Sequence, residues 1–113
     1  MRTILLLTLA SLSLVLASGA GGQAERGKQL AGWYGCGSCH EIPGLRGATG
    51  QVAPPLRRIA RRAYITGSVP NTPTNLIRWI RAPRTVDART IMPDMKISER
   101  DATDIAAFLY KLD

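Results

Sequence analysis

The chain has 113 residues and a net charge of +7, with two cysteines, one histidine and three methionines. That length allows one small domain, and a single pair of cysteines excludes a disulfide framework. The basic balance points to acidic protein partners or an anionic surface. No recognition motif accompanies the charge, so nucleic acid is set aside as a partner.

Residues 1–24 read as a signal peptide. Arg2 is the basic start, Ile4 to Ala17 is an almost unbroken apolar run, and Ser18, Gly19 and Ala20 are small, as a cleavage site requires. Cleavage after Ala20 or Ala24 satisfies the small-residue rule, and Ala24 is the preferred position. The run is short for a transmembrane helix, although an uncleaved anchor is the alternative. The expected domain is therefore 25–113, in the periplasm.

Ala24 to Tyr34 reads as a helix, with Leu30, Trp33 and Tyr34 at helical spacing and Glu25 in its first turn. Gly27 and Gly32 lower its propensity unless they permit close contact with another helix. Gly35 and Gly37 turn the chain into Cys36-Gly37-Ser38-Cys39-His40. Two cysteines three apart followed by histidine form the c-type haem attachment signature. Each thiol adds to one haem vinyl group, and the imidazole of His40 reaches the iron from below. A Cys-x-x-Cys pair also serves zinc and dithiol chemistry, but zinc would lack an evident fourth ligand here. His40 is the only histidine, so a bis-histidine haem within one chain is excluded.

Ile42 to Pro55 reads as loop, rich in glycine and proline. Leu56 to Ala63 reads as a short helix with Arg57, Arg58, Arg61 and Arg62 on one broad face. Such a face is commonly just solvated. Docking to an acidic partner and pairing of one arginine with a haem propionate are the alternatives. Thr72 to Ala82 is a helix with Thr72 as N-cap and Pro73 at its first position. Pro83 stops it, and Arg84 to Met95 is loop. Ser98 opens a last helix with Asp101 three later in a capping-box-like arrangement, and Ile105, Phe108, Leu109 and Leu112 form its buried stripe. Nothing reads as a β-strand. The fold class is all-α, with three to five helices.

A thioether is the expected second iron ligand, because a Met/His pair raises the potential of electron-transfer haems. Met1 leaves with the leader, so Met92 and Met95 remain. Pro93 stiffens the chain beside Met92 and favours it; Met95 is the runner-up.

These features together resemble the class I cytochrome c family, over nearly all of the chain after the leader. Gly27-Lys28 with Trp33 or Tyr34 resembles the family's first helix, and Cys36, Cys39 and His40 its attachment motif. Ala53-Pro54-Pro55-Leu56 resembles its Gly-Pro-x-Leu segment, with Ala53 replacing the glycine. Leu76 to Met92 is similar to its Leu-x-x-aromatic-Leu helix, following proline and ligand loop. Thr90-Ile91-Met92-Pro93 resembles its methionine turn, without the usual glycine, and Asp104 to Leu109 its terminal helix. The stretch from Tyr34 to Leu112 is especially similar to the haem domain fused to subunit II of some bacterial terminal oxidases.

The resemblance implies a cytochrome c fold with crossing N- and C-terminal helices, Gly27 meeting Phe108, around one covalent haem c. It implies that the Pro54 carbonyl binds the second nitrogen of His40 and that Trp79 and Ile80 wall the haem. It further implies iron ligation by His40 and Met92. The expected function is one-electron transfer between redox protein partners with an acidic docking face, a terminal oxidase or a periplasmic dehydrogenase. Membrane contact would come only through them. No catalysis is expected. The alternatives are a haem subunit permanently docked to a dehydrogenase, and a sensor or peroxidase with a labile Met92.

Overall fold

The order of elements follows from where the small and the apolar residues fall. The structure is a computed structural model and describes residues 20–113. Most of the expected signal peptide therefore lies outside the described residues. Four α-helices are present: α1 (Ala20–Trp33), α2 (Pro73–Arg81), α3 (Pro83–Val86) and α4 (Glu99–Leu109). Between α1 and α2 run two single-turn 3-10 segments, Cys36–Ser38 and Ile59–Arg61, and a two-stranded hairpin of β1 (Tyr64–Thr66) and β2 (Val69–Pro70).

The two long helices form the frame. Helix α1 presents Ala24, Gly27 and Ala31, all buried, along one face, and α4 answers with Ala102, Ile105, Ala106, Phe108 and Leu109. The approach is closest at Gly27. A Cβ built there would lie 1.8 Å from the Asp104 carbonyl oxygen and 2.9 Å from the Ile105 amide nitrogen. Backbone therefore touches backbone, which only glycine permits. The expected encounter of Gly27 with Phe108 is displaced by one turn, onto Asp104.

This seam also explains why Trp33 does not belong to the buried face expected of α1. Small residues own the contact with α4, and Trp33 is 84 % exposed. Leu30 and Tyr34 are half-buried against the core. Among the described residues the helix already runs from Ala20, ahead of both Glu25 and the expected domain boundary, so Glu25 lies beyond its first turn.

Polar groups close one edge of the seam. Arg26 bridges two carboxylates of α4, Asp101 and Asp104, at 2.6 Å each. The Tyr34 hydroxyl donates to the other oxygen of Asp101 at 2.8 Å. Asp101 is therefore spent on α1, and the cap of α4 is made one way only: Ser98 Oγ accepts from the Asp101 amide at 3.1 Å. The Tyr34 hydrogen bond, then Arg26, hold the Asp101 carboxyl below its ordinary range. A group with a lowered folded pKa stabilises the fold above its unfolded pKa, near ~3.9. That contribution is lost as pH falls through the lower folded value. Tyr34→Phe is expected to raise the Asp101 pKa and move acid unfolding to higher pH, measured by thermal melts across pH 2 to 6 (roughly the carboxylate range). Identical acid profiles for the variant and the unmutated protein would contradict this.

Helix α2 is built as its sequence implies. Thr72 Oγ1 accepts from the Asn75 amide at 3.2 Å, and Pro73 occupies the first turn. Leu76 and Ile80 are buried and Ile77 and Trp79 half-buried. Pro83 ends α2 but also opens α3, so the stretch expected to be wholly loop starts with one helical turn.

Two further expectations are corrected. Leu56 to Ala63 is not a helix, because Arg58 stands in the left-handed region at φ 56 and leaves only the 3-10 turn Ile59–Arg61. The four arginines therefore share no helical face. The expectation of no β-strand also fails: Tyr64 pairs with Pro70 and Thr66 with Val69, antiparallel, around the Gly67-Ser68 turn. The architecture is nevertheless mainly helical, with the irregular segments contributing Ile42, Ala48, Ile59 and Ile97 to the core.

Candidate haem site

Sequence-distant segments converge on one cavity of about 340 Å³ beneath the α1–α4 frame. Cys36, Cys39 and His40 lie on its wall, together with Pro54, Trp79, Ile80, Met92 and Met95. Every residue singled out for the site from sequence is thus brought to one place.

The attachment turn is fixed by its own backbone. The amides of Cys39 and His40 both reach the Cys36 carbonyl, at 3.3 and 3.0 Å. The following loop then folds back over it. Gly50 donates to the Gly37 carbonyl at 3.0 Å, Ala53 to that of Cys39 at 2.9 Å, and Leu56 to that of Glu41 at 2.9 Å. A Cβ at Gly50 would lie 2.4 Å from the Cys39 carbonyl carbon, so the loop's glycine serves this contact.

His40 Nδ1 lies 2.7 Å from the Pro54 carbonyl oxygen. A carbonyl can only accept, so Nδ1 carries a proton, and in the neutral ring the lone pair is then on Nε2. That is the tautomer a metal ligand needs, and the hydrogen bond fixes the orientation of the ring. Cys36 and Cys39 are not joined in a disulfide. Burial pushes the Cys36 thiol above its ordinary pKa, since the apolar wall disfavours the thiolate.

The segment bearing Met92 has no regular structure but is bound at every turn. Asp87 Oδ1 accepts from the Arg89 amide at 3.0 Å, Thr90 Oγ1 from Met92 at 3.1 Å, and Asp94 Oδ1 from Lys96 at 2.9 Å. Side-chain oxygens thus replace the backbone partners this loop lacks. Lys96, at φ 57, turns the chain so that Ile97 enters the core ahead of α4. Met95 packs against the hydrophobic core; Met92 is half-buried and lines the cavity without joining that core.

The remaining wall is apolar. Leu56, Ile59, Ile65, Leu76, Ile97, Ile105 and Leu109 contribute, with Val52 and Ile91 as exposed members. Ile59, Ile65, Ile91, Ile97 and Val52 carry no sequence signal that sets them apart from ordinary core or loop residues. Ile105 and Leu109 were legible only as a buried helical stripe. Among the described lining residues Arg62 is the one with a permanently charged side chain. It donates to the Pro55 carbonyl, next to the carbonyl that holds His40. Arg57 instead pairs with Glu41.

The donor set fits a covalent haem. Two thiols and an imidazole nitrogen stand beside a largely apolar wall that carries two thioethers, which suits a flat macrocycle with a soft second ligand. Among the described residues no group of three or more His, Cys, Asp or Glu side chains is gathered to hold a metal ion by itself.

Comparison with known proteins agrees. The family model described as Cytochrome c matches residues 24–113. Neither a search of curated proteins nor one of solved structures gave a match. The matched span runs from Ala24, in the α1 seam, to the last residue, and so takes in the attachment turn, the cavity and the α1–α4 frame. The chain belongs to the cytochrome c family, whose domains typically transfer electrons, and its cofactor is covalent haem c with its iron.

Proposed function

We propose that the chain is an exported one-electron carrier, with Cys36 and Cys39 as the haem thioethers, His40 as proximal and Met92 as distal iron ligand. The observation that carries this reading is the His40–Pro54 hydrogen bond at 2.7 Å on the wall of a cavity shared with Met92. The haem iron supplies a one-electron couple when bound. The residues hold it still. Pro54 orients the imidazole, Thr90 and Pro93 hold the Met92 turn, and Trp79, Ile80 and their neighbours exclude water. His40 and Met92 would both hold the iron and would leave no place for a substrate there, so the protein is read as a carrier and not an enzyme.

Of the four arginines, Arg62 is assigned to a haem carboxylate, because it is the one of them on the cavity wall and its planar fork suits a carboxylate. Arg58 and Arg61, both exposed, are left for an acidic partner. The leader directs the chain to the periplasm, where covalent attachment takes place. Cleavage after Ala20 leaves the buried Ala24 in place, whereas cleavage after Ala24 removes it from the seam. Among the described residues no helix is long and apolar enough to cross a membrane.

The test is purification of the untagged holoprotein from periplasmic extract. The expected result is elution alone, with electron exchange to an isolated oxidase or dehydrogenase that slows as ionic strength rises. Stoichiometric co-elution with a catalytic protein would instead establish a docked haem subunit. Exchange that ignores salt would remove the acidic docking face.

A further inference from the structure

A chain of hydrogen bonds runs from the end of α4 to the cavity wall through residues outside the expected site. The Tyr110 hydroxyl donates to Asn71 Oδ1 at 2.8 Å. Asn71 Nδ2 in turn donates to two backbone carbonyls, Ile59 at 2.8 Å and Arg62 at 3.0 Å. All three contacts require the same orientation of the amide, with nitrogen toward the carbonyls and oxygen toward the phenol. Both side chains are half-buried, and burial pushes the Tyr110 phenol up, which keeps it a donor.

The two carbonyls bracket the 3-10 turn Ile59–Arg61. That turn is entered through a left-handed residue, Arg58, and left in extended backbone at Arg62. It has no helix to stiffen it. Asn71 grips both ends at once, so it sets where Arg62 leaves the turn. The Arg62 side chain then reaches the cavity wall and the Pro55 carbonyl, adjacent to the Pro54 carbonyl that holds His40.

We propose that Asn71 and Tyr110 are positioning residues for the electron-transfer centre, which fix the reduction potential by holding Arg62 at the haem cavity. The proposal rests on the haem reading above. A cation held near the iron disfavours the additional positive charge of the oxidised state. Loosening it therefore favours oxidation, so the potential falls.

The experiment is a double-mutant cycle read in midpoint potential on the holoprotein. Asn71→Ala is expected to shift the reduction equilibrium about tenfold toward the oxidised form, about 59 mV for a one-electron couple. Tyr110→Phe, which removes only the hydroxyl, is expected to shift it in the same direction and by less. In an Arg62→Gln background both shifts are expected to shrink below half their size. Should Asn71→Ala fail to fold, the Tyr110→Phe arm carries the test. Unchanged potentials, or equal shifts with and without Arg62, overturn the proposal while the haem reading stands. Lack of covalently attached haem in the unmutated protein overturns the haem reading and this proposal with it.

Discussion

Met92→Ala is expected to lower the midpoint potential by on the order of 100 mV, within the ~0.8 V span over which axial ligands set haem potentials, and to abolish the sulfur-to-iron absorption band of the oxidised protein. A thioether is a soft, neutral ligand that favours ferrous iron, so its loss stabilises the ferric state. Met92 carries this expectation because of what it does not do. Met95 packs against the buried core, where a thioether commonly fills gaps. Met92 is half-buried and held by the Thr90 hydroxyl on a loop bound at successive turns. Potentiometric titration and the oxidised absorption spectrum check the outcome together. Retention of the band in Met92→Ala, with loss in Met95→Ala, would give the ligand role to Met95.

Gly27→Ala is the second large effect, this time on stability. The added Cβ meets the Asp104 carbonyl oxygen at 1.8 Å, and no side-chain rotation can relieve a clash between two backbones. The helices must separate by more than an ångström, opening the Ala31, Ala102 and Ala106 contacts that make the seam. Overpacking of this kind costs about 3 kcal/mol or more. Against a total of roughly 5–15 kcal/mol for a small domain, that is a large share. It corresponds to a fall in Tm of roughly 10–20 °C. Thermal unfolding of the holoprotein checks it, and a variant within a few degrees of the unmutated protein would show that α1 and α4 are not locked at this position.

What the sequence reveals depends on how local the cause is. The attachment turn, the Thr72 and Ser98 caps, and the proline that ends α2 are legible because each feature acts within three or four residues. The burial of Ile105, Phe108 and Leu109 is legible from helical spacing. The convergence of Pro54, Trp79, Ile80, Met92 and Met95 with the attachment motif was expected through family resemblance, since nothing local joins them. Long-range causes were missed. The α1 face belongs to Ala24, Gly27 and Ala31, so the most apolar residue of that helix, Trp33, stands in solvent. Side-chain size alone could not reveal this, because close helix contact rewards the smallest residues. The arginine-rich stretch looked helical, but Arg58 adopts a left-handed conformation and Asn71 holds both ends of the turn that follows. The hairpin is too short for an alternating pattern, with strands of three and two residues.

The site follows the same division. Chemistry was readable at Cys36, Cys39 and His40, where the motif is contiguous. Arg62 could be named only as one of four arginines, and the structure separates it by placing it alone of the four on the cavity wall. Asn71 and Tyr110 had no signal, because an asparagine after a proline and a tyrosine at a helix end are ordinary residues until their contacts are known.

The proposed His40–iron–Met92 centre for electron transfer would show itself in the absorption spectrum of the purified holoprotein, oxidised and reduced. The predicted result is a six-coordinate, low-spin haem in both states, covalently retained on denaturation, with the sulfur-to-iron band in the oxidised form and no response of the reduced form to carbon monoxide at neutral pH. A reduced protein that is five-coordinate and high-spin, and that binds carbon monoxide stoichiometrically, would contradict it.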